Sequence, residues 1–68
     1  MYIIKIRGKA KIPDYIQIRD DNFTLVAYFR VDRPLKDLER IGLGGQEEYL
    51  TSLIKSLPFG KLTELNLP

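Results

Sequence analysis

The residues with the most evident capacity for chemistry are a glycine cluster, two pairs of adjacent carboxylates, two serines and two loop lysines. Gly42-Leu43-Gly44-Gly45 precedes a predicted helix start, where backbone N–H groups attract anions. The cluster lacks the Lys-Ser/Thr ending of a nucleotide loop and does not follow a strand, so a flexible connection between two helices explains it better. Asp20-Asp21 and Glu47-Glu48 present hard oxygen ligands to a cation, but turn formation and helix capping explain both pairs without a metal. Ser52 and Ser56 fall on a predicted helix with no base beside them. There is no histidine and no cysteine, which removes the usual general base, the strongest nucleophile, imidazole and thiolate metal ligands, and any disulfide. Lys9 or Lys11 as a Schiff-base nucleophile would need a buried pocket to lower its pKa, which a small core hardly provides. The expectation is a non-enzyme, with no catalytic residue, no cofactor and no metal site.

Recognition is the chemistry that remains, and the strand pattern says where it would sit. Phe23 to Val31 is the longest run alternating at the strand period, with Phe23, Leu25, Ala27, Phe29 and Val31 on one face and Thr24, Val26, Tyr28 and Arg30 on the other. Tyr2 to Arg7 alternates less cleanly, Tyr2, Ile4 and Ile6 against Ile3, Lys5 and Arg7. Tyr15 to Arg19 sets Ile16 and Ile18 against Tyr15, Gln17 and Arg19. Turning the apolar sets together leaves an interaction face of Lys5, Arg7, Tyr15, Gln17, Arg19, Val26, Tyr28 and Arg30, with Ile3 and Thr24 beside them.

Three functional readings are open. Tyrosines and arginines are enriched at protein interfaces, so a homodimer or a protein partner is the first expectation. Cations interleaved with aromatic rings also suit single-stranded RNA, whose bases stack while phosphates meet Lys and Arg, although the K/R-G-F/Y run of RNA-binding sheets is absent. The third reading is an accessory subunit of a larger enzyme. Against all of these stands a plain solvated face, because long basic side chains cover apolar surface and discourage edge aggregation.

The elements that must position these residues follow in order. Gly8 to Asp14 is a loop, and Asp20-Asp21-Asn22 is the turn of a hairpin between the second and third strands. A two-residue loop at Asp20-Asp21 or at Asp21-Asn22 keeps the apolar faces together, and the second, preferred because Asn accepts positive φ, pairs Ile18 with Leu25 and Tyr15 with Tyr28. Asp32-Arg33-Pro34 predicts a helix start, with Leu35, Leu38 and Ile41 as a short buried stripe. From about Gln46 a second helix is predicted, Glu47 and Glu48 at its positive end, Lys55 toward its negative end, and Tyr49, Leu50, Leu53, Ile54 and Leu57 on its apolar face. Lys61 to Leu67 reads as a short last strand, the other reading being a tail packed on the core. The expected core is Ile4, Ile6, Ile16, Ile18, Leu25, Ala27, Phe29, Leu38, Leu50, Leu53, Ile54 and Leu57.

This predicts one α+β domain over residues 1–68, a small antiparallel sheet packed on one face by two short helices in the order β-β-β-α-α-(β). Chains of 68 residues bury only about 60% of their unfolded surface, so a partner subunit is the natural stabiliser once disulfides and metals are gone. Eleven basic against nine acidic side chains give a net charge of +2, too little to imply nucleic acid by itself. No apolar run approaches the length of a membrane span, and the N-terminus starts directly in a strand pattern, so no membrane role and a cytoplasmic location are expected.

Overall fold

The computed structural model describes residues 1–65 and is broadly α+β. Strands β1 (Tyr2–Ile6), β2 (Tyr15–Arg19) and β3 (Leu25–Arg30) form an antiparallel meander. A single 3-10 turn, Leu38–Ile41, precedes helix α1 (Glu47–Ser56), and the two-residue strand β4 (Thr63–Glu64) then pairs with β1, giving the sheet order β3-β2-β1-β4. Of the last strand predicted over 61 to 67, only Thr63–Glu64 pairs, and positions 66 and 67 lie outside the described residues.

One α-helix and one 3-10 turn stand where two helices were expected. Leu35, Leu38 and Ile41 recur every three residues, which is the period of a 3-10 helix, and an isolated helix of eight residues is in any case too short to hold itself. Asp37, left-handed at φ 56°, separates Leu35 from the turn, whose Leu38 is buried. The α1 expectation is met closely: Glu47 and Glu48 occupy its first turn, Lys55 its last, and Leu50, Ile54 and Leu57 are buried, while Tyr49 is largely exposed.

The core lies between α1, the 3-10 turn and one face of the sheet, and comprises Ile3, Ile16, Ile18, Leu38, Leu43, Leu50, Ile54, Leu57 and Leu65, with Ala27, Phe29 and Leu53 packed against it. Residues opposite each other in antiparallel strands share a face, so two rows of the core face can be written directly: Thr63, Ile3, Ile18 and Ala27, then Lys5, Ile16 and Phe29. Strand β1 therefore has the opposite parity from that predicted. Ile3 is fully buried, and Ile4 and Ile6 lie on the other side of the sheet. Counting apolar residues favoured the even set, whereas the structure gives the odd set a core position for Ile3 and a hydrogen-bond acceptor for Lys5.

The hairpin also departs from expectation, in register rather than in parity. Ile18 pairs with Ala27, Ile16 with Phe29, and a bulge at the end of β2 sets Arg19 opposite Leu25, turning Leu25 out to 45% exposure. The turn is centred on Asp21-Asn22 as predicted, but Phe23 adds a third loop residue at φ 61°, where a glycine usually closes such a bulge. Several contacts hold it there: the Asp20 carboxylate accepts from the Asn22 and Thr24 amides at 2.9 and 3.0 Å, and the Arg19 guanidinium donates to the Phe23 carbonyl at 2.7 Å. The Phe23 ring stacks on Tyr2, with ring centroids 4.9 Å apart. Left-handed backbone costs a residue with a Cβ about 1–2 kcal/mol, and an aromatic pair returns about 0.5–1.5 kcal/mol. Phe23→Gly is thus expected to leave urea-unfolding stability within about 1 kcal/mol of the parent, while Phe23→Val, β-branched and ringless, lowers it by about 1–2 kcal/mol. Equal losses for both substitutions would contradict the assigned backbone conformation.

Candidate functional site

The face of the sheet turned away from α1 is described by three rows. The first runs Glu64, Tyr2, Arg19 and Leu25; the second Ile4, Gln17 and Tyr28; the third Ile6, Tyr15 and Arg30. Phe23 extends the first row through its stack on Tyr2, and the Tyr15 and Tyr28 rings, diagonal neighbours in this register, approach to 4.9 Å between centroids. Phe23, Leu25 and Tyr28 are each about half exposed.

Five of the eight residues expected on one interaction face meet here: Tyr15, Gln17, Arg19, Tyr28 and Arg30. Val26 is taken up by the bulge and packs against the core. Lys5 points to the core face, 9% exposed, where its Nζ donates to the Ile54 carbonyl at 2.9 Å. Arg7 lies just beyond β1 with its guanidinium carbon 4.0 Å from the centre of the Phe59 ring, which the Lys5 ammonium also approaches at 4.8 Å. In their place come Tyr2, Ile4, Ile6, Phe23 and Leu25, all on the core-facing side by alternation, with Ile4, Ile6 and Leu25 among the expected core residues. The signal that would have found Lys5 is Pro58: it stands four residues after Ile54 and has no N–H to give that helical carbonyl.

Charge on the open face is nearly balanced. Arg30 makes a forked pair with Asp32, at 3.0 and 2.8 Å, and these hydrogen bonds raise the guanidinium above its ordinary value and hold the Asp32 carboxyl below the usual carboxylate range. Both groups face solvent, so the pair fixes orientation more than it stabilises, and its contribution disappears as pH falls through the lowered Asp32 value. Arg19 is held by Phe23 and by the Gln17 side-chain oxygen at 3.0 Å, and Glu64 carries the opposing charge two strands away.

Several of the remaining candidates have local structural roles. The Asp20 carboxylate ties its own turn, and Asp21 receives the N-terminal ammonium at 2.6 Å. Leu43 of the glycine cluster is fully buried, and the helix N-terminus beyond it already carries Glu47 and Glu48. Ser56 donates to the Leu53 carbonyl at 3.0 Å, while Ser52, Lys9 and Lys11 are exposed. No helix among the described residues is long and apolar enough to cross a membrane. Compared with known proteins, the chain matches no family model, no curated protein sequence and no solved structure.

Proposed function

We propose that this chain is a non-catalytic interaction module that self-associates through the open face of its sheet. The observation that carries this reading is the three-row lattice itself, a surface left open among the described residues, where Tyr2, Ile4, Ile6, Tyr15, Phe23, Leu25 and Tyr28 surround Gln17. Aromatic side chains give large contact area for few rotatable bonds and are enriched at the centres of interfaces. Two-fold contact sets a patch against itself, so it tolerates little net charge, and here Arg30 is neutralised by Asp32 and Arg19 is offset by Glu64. The nucleic-acid alternative is weakened by the departure of Lys5 and Arg7 from this face, since they were half of its four cations.

Sedimentation equilibrium over a wide concentration range tests the reading. The parent chain is expected to rise from the mass of one chain to that of two, and the double variant Leu25→Glu/Tyr28→Glu to stay at one, with an unchanged circular dichroism spectrum. A parent that remains a monomer at every concentration overturns the proposal. So does binding of a single-stranded oligonucleotide at low salt that the same variant abolishes, because phosphate contacts would then be the function of the face.

A further inference from the structure

Strand β3 closes one end of the sheet among the described residues, so one side of its backbone has no neighbouring strand. The phase of its hydrogen bonds is fixed by Val31, whose N–H donates to the Asp14 carbonyl at 3.0 Å and continues the register that pairs Phe29 with Ile16. Backbone groups of Ala27, Phe29 and Val31 therefore turn toward β2, and those of Tyr28 and Arg30 turn outward. The Arg30 carbonyl accepts from the Arg33 amide at 3.4 Å, which leaves the Tyr28 N–H and C=O and the Arg30 N–H at the edge. The segment that follows does not cover them. A groove of about 810 Å³ separates β3 from residues 33–41.

Among the described residues, Arg33, Lys36 and Arg40 line that groove beside the Asp37 carboxylate, and none of the three cations has an ion-pair partner within 4.0 Å. Exposed edge strands are commonly protected by basic side chains that discourage pairing with a second copy, because two such edges would bring like charges together. The same charges invite an edge of opposite sign.

We infer that the β3 edge receives an extended acidic peptide as an added strand, its backbone paired to Tyr28 and Arg30 and its carboxylates set against Arg33, Lys36 and Arg40. Side chains of an added strand alternate between faces, so one set meets the cations and the other lies beside Tyr28. The chemistry that fits is acid and apolar residues in alternation. This surface is distinct from the open-face patch and does not require the chain to dimerise.

Fluorescence anisotropy with the full chain and a labelled eight-residue peptide of alternating Glu and Val tests the inference, alongside a Lys-Val peptide and a Glu-Val peptide N-methylated at every second amide. The Glu-Val peptide is expected to bind, more weakly as salt rises, with slowed amide exchange at Tyr28 and Arg30. Arg33→Glu/Arg40→Glu should weaken it by at least about tenfold, and N-methylation of the edge-facing amides should abolish binding. The inference is overturned if Glu-Val does not bind at low salt, if Lys-Val binds as well, if binding survives N-methylation of each of the two sets of alternate amides in turn, or if an oligonucleotide displaces the peptide and protects the groove in its place. The peptide and exchange measurements stand even where the double variant fails to fold.

Discussion

Leu43→Ala is expected to lower the melting temperature by more than about 10 °C, since removing a buried leucine costs about 2–5 kcal/mol and each kcal/mol moves a domain of this size by about 4–8 °C. Leu43 has no exposed surface, and its backbone is held on both sides, its N–H donating to the Leu38 carbonyl at 2.8 Å and its carbonyl accepting from the Gln46 amide at 3.2 Å. Gly42 and Gly45, at φ 79° and 78°, supply left-handed turns that a side chain would oppose, so the glycines bend the chain and the leucine anchors the bend. Total stability for a chain of this length is roughly 3–10 kcal/mol, so the loss is a large part of the whole. Leu62→Ala, at a leucine 41% exposed, is the control, with an expected change of at most about 1 kcal/mol. Thermal and urea unfolding followed by circular dichroism measure both, and equal effects would mean that Leu43 is not a core residue.

Leu43 also shows why part of this fold was readable from sequence and part was not. Local period was a sound guide wherever one face of an element was unambiguously apolar: Ile16 and Ile18 in β2, and Leu50, Ile54 and Leu57 around α1, were assigned correctly from spacing alone. A single leucine within a run of glycines has no period, so composition classed the stretch as a flexible connection. Strand β1 failed for a different reason. Both of its faces carry isoleucine, and alternation cannot choose between them when the open face is itself apolar. The hairpin kept its parity because both registers sum to an odd number, yet it slipped by two residues because Phe23 accepts a backbone conformation normally left to glycine.

The candidate site inherits these errors selectively. Residues of β2 and the C-terminal half of β3, Tyr15, Gln17, Arg19, Tyr28 and Arg30, stay together because their parity was right. Lys5 of β1 and Arg7 just beyond it leave with the strand's parity, and the isoleucines of β1 replace them, which turns a basic face into an apolar and aromatic one. Arg33, Lys36 and Arg40, without ion-pair partners among the described residues, gather instead along a stretch whose expected helix hid the strand edge beside it.

Lys5→Glu is expected to unfold much or all of the chain at room temperature, and Lys5→Met to cost about 1.5–3 kcal/mol, the range for a hydrogen bond to a charged group whose partner is left buried and unmatched. In α1 the Ile54 carbonyl would accept from the amide four residues on, but that residue is Pro58, and the Lys5 ammonium at 2.9 Å supplies the missing donor. The carbonyl sits in the last turn, where the helix dipole favours a cation, so a glutamate there sets a negative charge against the negative end of the helix with little water. Methionine keeps the apolar stem and the volume but offers no donor, which separates packing from hydrogen bonding. The expected order of stability, parent above Met above Glu, is read by urea unfolding in one buffer. Indifference to glutamate would mean that Lys5 faces solvent. In that event β1 lies the other way up, Ile4 and Ile6 return to the core, and the apolar lattice on the open face loses its central strand.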